Sequence, residues 1–222
     1  CWSPLNPCRL ERVCVGFAGA NEHRAFKLEE KEFAERIARE QTYDLDRLRD
    51  GLETIKDRFD VILLDPPPAL GMLSLSVLRA ADALVIPAPP NNIDFGSTAH
   101  FLKMLGATLS ELAKHGGARD YAFVKILATK MNDSKSAHVA IKRMMDAVFP
   151  LDMLQSVLKD SAEIDNAAAN LSTVYELTGP ATRTETHKRC RAYLDATCRE
   201  IEVLIRKTWP SHHAGLRKEG LL

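Results

Sequence analysis

The sequence predicts an α/β protein with a mostly parallel sheet flanked by helices. Short apolar runs of strand length alternate along the chain with segments whose apolar residues recur every three or four positions. This alternation is typical of βα units, which build a parallel sheet with helices on its faces. With 222 residues and 45% hydrophobic content, the chain is long enough for one sizeable core.

The predicted strands are short apolar runs closed by residues that do not continue a sheet. They fall at about residues 60–65, 83–87 and 121–129, and prolines follow the first two. A short helix over 73–80 separates the first two strands, so we expect them to form one parallel βαβ unit in a single sheet. The first 20 residues carry no period of useful length and receive no predicted element.

The predicted helices have apolar residues at helical spacing. Charge-rich residues 27–57 indicate two amphipathic helices broken near Thr42. Capping-box spacing predicts two helix starts, one at Asp160 with Glu163 and one at Thr182 with Glu185. Further helices are predicted from Asp94 to a glycine pair at 116–117 and over 135–148. The helix that starts near Thr182 should extend over about 183–208.

Composition excludes several classes of protein. Thirty basic and thirty acidic residues cancel, so any attraction to nucleic acid has to come from a local patch. Five cysteines form an odd, loosely spaced set without zinc spacing or a secretory signal, which favours reduced thiols in the cytoplasm. No apolar run approaches the length of about 18 residues that a transmembrane helix needs, so we expect no membrane span.

A lone carboxylate follows the first predicted strand. In FDVILLDPPPALG the apolar run ends at Asp65, and three prolines then prevent further sheet pairing. Ligands of open parallel sheets bind at the carboxyl ends of the strands, where an aspartate can hold Mg²⁺ through water. A helix cap or a turn residue is the alternative interpretation of Asp65. Gly71 adds a flexible point that suits a nucleotide-sensing switch.

A longer stretch carries a family resemblance. FDVILLDPPPALGMLSLSVLRAADALVIPAPPNNIDFGSTAHFL resembles the Walker B and switch II region of the ParA class of deviant Walker ATPases, in which DxPPxxG precedes an AAD strand ending in proline. Within that class, IDFGSTAHFLKMLG, KILATKMND and LDMLQSVLKDSAEIDNAAANLSTVYEL resemble RepA, the partition ATPase of RepABC-type plasmids. The resemblance runs from about Phe59 to Trp209, and it implies a ParA/MinD-like P-loop NTPase fold.

The resemblance also implies a function. Such a protein segregates plasmids with ATP and Mg²⁺, dimerises, binds DNA non-specifically and responds to a RepB/ParB-like centromere-binding partner, in the cytoplasm or on the nucleoid. Asp65 would be the catalytic Walker B carboxylate that holds Mg²⁺ through water. The other residues implied are Pro66, Pro67 and Gly71 in switch II, Thr129, Lys130 and Asn132 beside the adenine, and Lys188, Arg189 and Arg191 against DNA.

The sequence also departs from the family pattern. The KGGxxKT-like phosphate loop is absent, and GFAG at 16–19 has no following Lys-Ser/Thr pair. The residue after Asp65, usually Cys or Thr in this motif, is Pro66, which gives the motif a third proline. The chain starts with Cys1 and lacks the phosphate loop, so we expect a truncated copy that does not hydrolyse ATP alone. A non-catalytic interaction or DNA-binding module, or the product of a decaying gene, is the alternative.

His187 lies three residues before Cys190, and the two could form a metal pair on a helix. Further ligands at suitable spacing are missing, so we interpret the pair as a surface feature.

The domain division follows from the same resemblance. We divide the chain into an unmatched segment over 1–26, a partial nucleotide-hydrolase domain over 27–209 and a polar tail over 210–222.

Overall fold

Six α-helices and five β-strands follow one another along the described part of the chain. The structure is a computed structural model that describes residues 13–17, 45–66, 72–114, 120–177 and 184–209. Its elements are β1 Val13–Phe17, α1 Arg47–Glu53, β2 Val61–Asp65, α2 Met72–Ala80, β3 Leu84–Ala88, α3 Asn92–Lys114, β4 Val124–Met131, α4 Ser136–Val148, β5 Met153–Lys159, α5 Ala162–Ala169 and α6 Glu185–Thr208.

The described residues fall into two compact units. The first contains β1, α1, β2, α2 and the part of α3 from Ala99 onwards. The second contains most of β3, the start of α3 up to Thr98, and the chain from Val124 onwards. The division passes through α3, so a helix continuous in sequence contributes to both units.

The strands form two separately hydrogen-bonded sheets. In the first unit β1 and β2 pair in parallel, from Val13 opposite Val61 to Phe17 opposite Asp65. In the second unit β3, β4 and β5 form a parallel three-stranded sheet in that order. The α/β class with a parallel sheet is therefore confirmed.

The predicted unit of β2, helix and β3 in one sheet is wrong, because β2 pairs with β1 and β3 pairs with β4. We did not predict β1, because VCVGF contains a glycine, which weakens a strand signal. Because β1 was not predicted, the strand that pairs with β2 was not predicted either. Parallel βαβ units do occur in the second sheet, where α3 connects β3 with β4 and α4 connects β4 with β5, and β5 was also not predicted.

Most predicted elements are confirmed within one or two residues at each end. The strand expected at 121–129 is an exception, because it begins only at Val124. Two of the residues before it make other bonds: the Tyr121 hydroxyl donates to the Leu78 carbonyl at 2.8 Å, and the Ala122 amide donates to the Asp82 carbonyl at 2.8 Å. Of the two helices expected in 27–57, the second is α1, and the first lies outside the described residues.

Hydroxyl side chains begin the last two helices. The Ser161 hydroxyl accepts from the Glu163 amide at 3.3 Å, so Ser161 caps α5 instead of the predicted Asp160. The Thr184 hydroxyl likewise accepts from the His187 amide at 3.2 Å at the start of α6, while Thr182 lies outside the described residues. In both cases the residue immediately before the helix acts as the cap, as expected for short hydroxyl side chains.

Each unit has a core of buried apolar residues. In the second unit the buried apolar residues come from all three strands and from α4: Ile86, Ala88, Ile126, Leu127, Ala128, Met145, Met153 and Leu154. In the first unit α2 supplies Leu75, Val77, Leu78 and Ala80. None of the described helices is long and apolar enough to span a lipid bilayer.

Candidate functional site

Asp65 is an exposed carboxylate at the end of a parallel strand. It is the last residue of β2, and Pro66, also exposed, ends the strand immediately after it. Pro67 and Gly71 lie outside the described residues, and α2 begins at Met72. Among the described residues no three His, Cys, Asp or Glu side chains cluster to hold a metal ion. Asp65 therefore has the position and the exposure of a carboxylate that contacts a hydrated cation, without direct co-ligands in the described chain.

An ion pair fixes the helix that follows the Asp65 segment. The Arg79 guanidinium, near the end of α2, donates three hydrogen bonds to both carboxylate oxygens of Asp46 at 2.6–2.9 Å. The Arg79 side chain is only 15% exposed, and Asp46 is the residue that precedes α1. Because bidentate pairs constrain orientation as well as distance, α2 is held against α1 inside the first unit.

The end of β4 carries the residues expected beside an adenine base. Thr129 is half-buried and Lys130 is exposed within the strand, and Asn132 directly follows it. Lys130 has φ 51°, a left-handed conformation that favours glycine. The register against β5 shifts at this point, with Ala128 opposite Val157 and Met131 opposite Lys159, so β4 contains a bulge around Lys130.

Asn132 forms a tight turn into α4. Its side-chain oxygen accepts from the Ser134 amide at 3.0 Å, and its own amide donates to Nδ1 of His138 at 3.4 Å. At the end of the neighbouring strand, the Asn91 side chain accepts from the Asp94 amide at 2.9 Å and begins α3. The two turns border a groove of about 690 Å³ lined by Asn91, Asp94, Ser134, Lys135, Ser136, Ala137 and His138.

The groove lies at the carboxyl edge of the three-stranded sheet, where open parallel sheets bind ligands. Its lining combines an amide, a carboxylate, an ammonium group, hydroxyls and an imidazole, so it offers both hydrogen-bond donors and acceptors to a polar ligand. Sequence reasoning missed Asn91, Asp94 and His138. The proline and asparagine cluster PPNN after β3 was the available signal, because such residues mark turns at strand ends.

The three residues expected to contact DNA do not share one environment. Lys188 and Arg189 are exposed on the first turns of α6, and Lys188 pairs with Glu185 at 2.6 Å. Arg191 is half-buried, and its guanidinium lies 5.0 Å from the ring centroid of Tyr175. The Tyr175 hydroxyl in turn donates to Asp195 at 2.6 Å. Arg191 therefore stacks on the protein itself and is separated from the exposed cations.

The exposed residues of α6 extend the basic surface along the whole helix. They include four cations, Lys188, Arg189, Arg199 and Lys207, and a single carboxylate, Glu185. Arg206 does not join this surface, since it is buried and pairs with Glu202 on the same helix. Arg199 and Lys207 were not among the predicted contacts. Their helical spacing from Arg189 was the signal that could have identified them.

His187 and Cys190 are buried, so their interpretation as a surface feature is wrong. His187 is 2% exposed and Cys190 is 3% exposed, and Cys190 packs with Ala167 and Val174 in a small core between α5 and α6. Their spacing places both on the apolar face of α6 together with Leu194. The pair belongs to the packing of the helix, and the described residues supply no third ligand beside it.

Glu200 joins α6 to an irregular stretch of β5. Its two carboxylate oxygens accept from the amides of Gln155 and Ser156, each at 2.7 Å. These amides lie in a second bulge, between the pairs Ile126–Met153 and Ala128–Val157. Burial opposes ionisation of Glu200, but hydrogen bonds from Ser156 and Gln155, with the nearby Lys125 ammonium, outweigh it and lower the pKa.

Comparisons with known proteins show which proteins the chain resembles. An AAA domain model matches residues 22–115. A replication protein A candidate of Sinorhizobium fredii is 28% identical over 163 residues, which cover 73% of this chain and 40% of that protein. SopA of Escherichia coli is 27% identical over 165 residues, which cover 73% of this chain and 42% of SopA. A solved partition protein is 25% identical with a TM-score of 0.50, and the match covers 69% of this chain and 38% of that protein.

The chain is thus similar in sequence to partition ATPases of the ParA class. A structure of the Cyanothece McdA–ATP complex has the same fold, with a TM-score of 0.52 at 20% identity, over 75% of this chain and 60% of McdA. The predicted class and fold are thus confirmed. The chain spans about two fifths of the length of the curated relatives it matches.

Proposed function

We propose that the chain is part of a plasmid-partition ATPase of the RepA type, to which it supplies the Walker B carboxylate, the base-side edge and a DNA-binding helix. We also propose that these 222 residues do not hydrolyse ATP on their own. One observation carries the second statement: the sequence contains no glycine-rich loop followed by Lys-Ser/Thr.

Phosphoryl transfer depends on positioning and on stabilising negative charge. A phosphate loop contributes backbone N–H groups, a lysine for the β- and γ-phosphates, and a hydroxyl that binds Mg²⁺. Asp65, at the carboxyl end of β2, contributes one carboxylate to that metal. One exposed carboxylate competes poorly with water for a hydrated divalent cation, so Asp65 needs the missing loop to act.

The proposed base side is the carboxyl end of β4. The side-chain oxygen of Asn132 is occupied by the Ser134 amide, which fixes the orientation of the side chain. Its Nδ2 group is then oriented to donate to a ring nitrogen of a base. Thr129 and Lys130 precede it, and the bulge at Lys130 sets the direction in which the chain leaves the sheet.

The proposed DNA contact is the exposed face of α6. Its 24 residues extend for about 36 Å, close to one turn of B-form DNA. Lys188, Arg189, Arg199 and Lys207 face solvent along that length, whereas Arg191 stacks on Tyr175. Contacts of this kind are made to phosphates and are independent of sequence. They would place the protein on the nucleoid, together with a second copy and a ParB-like partner.

The DNA contact is tested with the double variant Arg199→Ala, Lys207→Ala and a labelled duplex of random sequence. Each lost phosphate contact should reduce the slope of log affinity against log salt by about 0.9. Lys114→Ala serves as the control, because Lys114 is likewise exposed but lies at the end of α3. Unchanged binding and an unchanged slope in the double variant would exclude α6 as the DNA contact.

A non-catalytic DNA-binding module is the second candidate. The excess of exposed cations over carboxylates on α6 favours it, because this surface needs no nucleotide to bind phosphates. The two candidates differ in whether adding the rest of a ParA-type fold restores ATP hydrolysis. Co-expression with a ParA-class segment that carries a phosphate loop, followed by an ATPase assay, separates them.

A further inference from the structure

The backbone position of Arg191 and the direction of its side chain indicate different surfaces. Lys188, Arg191 and Arg199 are spaced i, i+3 and i+11 within α6, so their Cα atoms lie on one face of the helix. Lys188 and Arg199 are exposed on that face, whereas Arg191 is half-buried. Arg191 therefore has the backbone position of a phosphate contact without the exposure of one.

The ring of Tyr175 accounts for this difference. The Arg191 guanidinium lies 5.0 Å from the ring centroid, within the range at which an aromatic face attracts a cation. The Tyr175 hydroxyl donates to Asp195 at 2.6 Å, and Asp195 lies one turn after Arg191 on the same helix. Because this hydrogen bond fixes the orientation of the ring, the aromatic face stays beside the guanidinium.

The segment that carries Tyr175 is held by the small core between α5 and α6. Val174, directly before Tyr175, is 4% exposed and packs with Ala167 and Cys190. The Ser172 amide also donates to the Ala167 carbonyl at 3.0 Å, which joins this segment to the end of α5. The position of the ring over Arg191 therefore depends on the packing of α5 against α6.

We propose that Tyr175 and Asp195 form an autoinhibitory contact that withholds Arg191 from DNA. This inference rests on the proposed function, because it concerns the phosphate-binding face of α6. While the ring is in place, α6 offers only its exposed cations, and displacement of the ring adds Arg191 to the same face. The phosphate groups of DNA compete with the ring, since both bind the guanidinium cation. Tyr175 is thus a positioning residue that limits how many phosphates α6 contacts.

The test measures the affinity of the full chain for a fluorescein-labelled duplex of random sequence. Tyr175→Leu keeps an apolar side chain but removes the aromatic face and the hydroxyl. It should steepen the slope of log affinity against log salt by about 0.9, so that affinity falls about 3.5-fold further between about 50 and 200 mM salt. Tyr175→Phe keeps the aromatic face and should retain the slope of the unmodified chain. Tyr193→Leu is the matched control, because Tyr193 is also half-buried and lies on α6 itself.

The steeper slope of Tyr175→Leu should depend entirely on Arg191. In an Arg191→Ala background, Tyr175→Leu should leave the slope unchanged, whereas a general loss of packing would act with or without the arginine. An unchanged slope in Tyr175→Leu would overturn the proposal, as would an equal change in the Arg191→Ala background. The same steepening in Tyr175→Phe would show that the stacked ring does not restrain Arg191.

The double variant Arg199→Ala, Lys207→Ala separates this proposal from the proposed DNA contact. If it reduces the slope while Tyr175→Leu has no effect, α6 binds DNA and only the restraint on Arg191 is wrong. If it leaves both affinity and slope unchanged, α6 is not the DNA contact and both proposals are wrong.

Discussion

The bond between Glu200 and β5 makes a quantitative prediction about stability. Glu200→Gln keeps the size of the side chain but replaces one acceptor oxygen by an NH₂ group, which faces an amide donor of Gln155 or Ser156. One charge-assisted hydrogen bond is lost and the other becomes neutral. Such bonds contribute about 1.5–3 kcal/mol each when buried. Glu200 is half-buried, so solvent reduces the total, and we expect a loss of about 2 kcal/mol.

The loss is measured by urea and thermal unfolding at pH 7. For a chain of this size about 2 kcal/mol corresponds to a fall in Tm of roughly 4–8 °C. Far-UV circular dichroism reports all helices, and in a Trp2→Phe background Trp209, at the end of α6, reports the affected helix by fluorescence. Agreement between the two signals also tests whether the two units unfold together. Glu185→Gln is the control, since exposed ion pairs contribute at most about 1 kcal/mol.

The same bond predicts a pH dependence. The pKa of Glu200 is lowered in the folded chain, so the unfolded state binds the proton more readily. The stabilisation is therefore complete above the unfolded value of about 4.3 and is lost as pH falls through the lower folded value. The difference between the unmodified chain and Glu200→Gln should shrink below pH 4. Equal unfolding free energies of the two proteins at pH 7 would refute the role of Glu200.

Three further predictions concern other contacts. Lys130→Gly should raise the unfolding free energy by about 0.5–1 kcal/mol because it relieves a left-handed backbone, and a decrease would contradict the assigned bulge. Asp46→Asn should lower it by about 1–3 kcal/mol in urea unfolding, since Arg79 loses its charged partner, whereas an unchanged value would show that the pair does not hold α2. Arg191→Ala should leave the salt slope of DNA binding unaltered, and a reduced slope would return Arg191 to the DNA surface.

Local sequence patterns predicted the elements that have strong local signals. The apolar runs before the prolines at 66 and 89 identified β2 and β3, and helical spacing identified α6. Strand partners depend on contacts between distant residues, so the pairing of β2 with β1 was not readable from its own sequence. We did not predict β5, because its sequence MLQSVLK mixes apolar and polar residues without a regular alternation, and the strand is bulged.

The candidate site was only partly predictable. Asp65 could be placed because strand and proline run fix it locally. The environment of Arg191 depends on Tyr175, sixteen positions earlier in the chain, and no local pattern reveals that contact. The burial of His187 was accessible, because it shares a helical face with Cys190 and Leu194.

Titration of the purified chain with Mg²⁺ and ATP tests the central claim most directly. Calorimetry measures binding, and a coupled assay measures phosphate release. We predict no binding at micromolar ATP and no phosphate release above the level of Asp65→Ala, because Asp65 alone does not hold the metal and the phosphates. Micromolar affinity together with turnover that Asp65→Ala abolishes would contradict the account and would reveal a second phosphate-binding site in this chain.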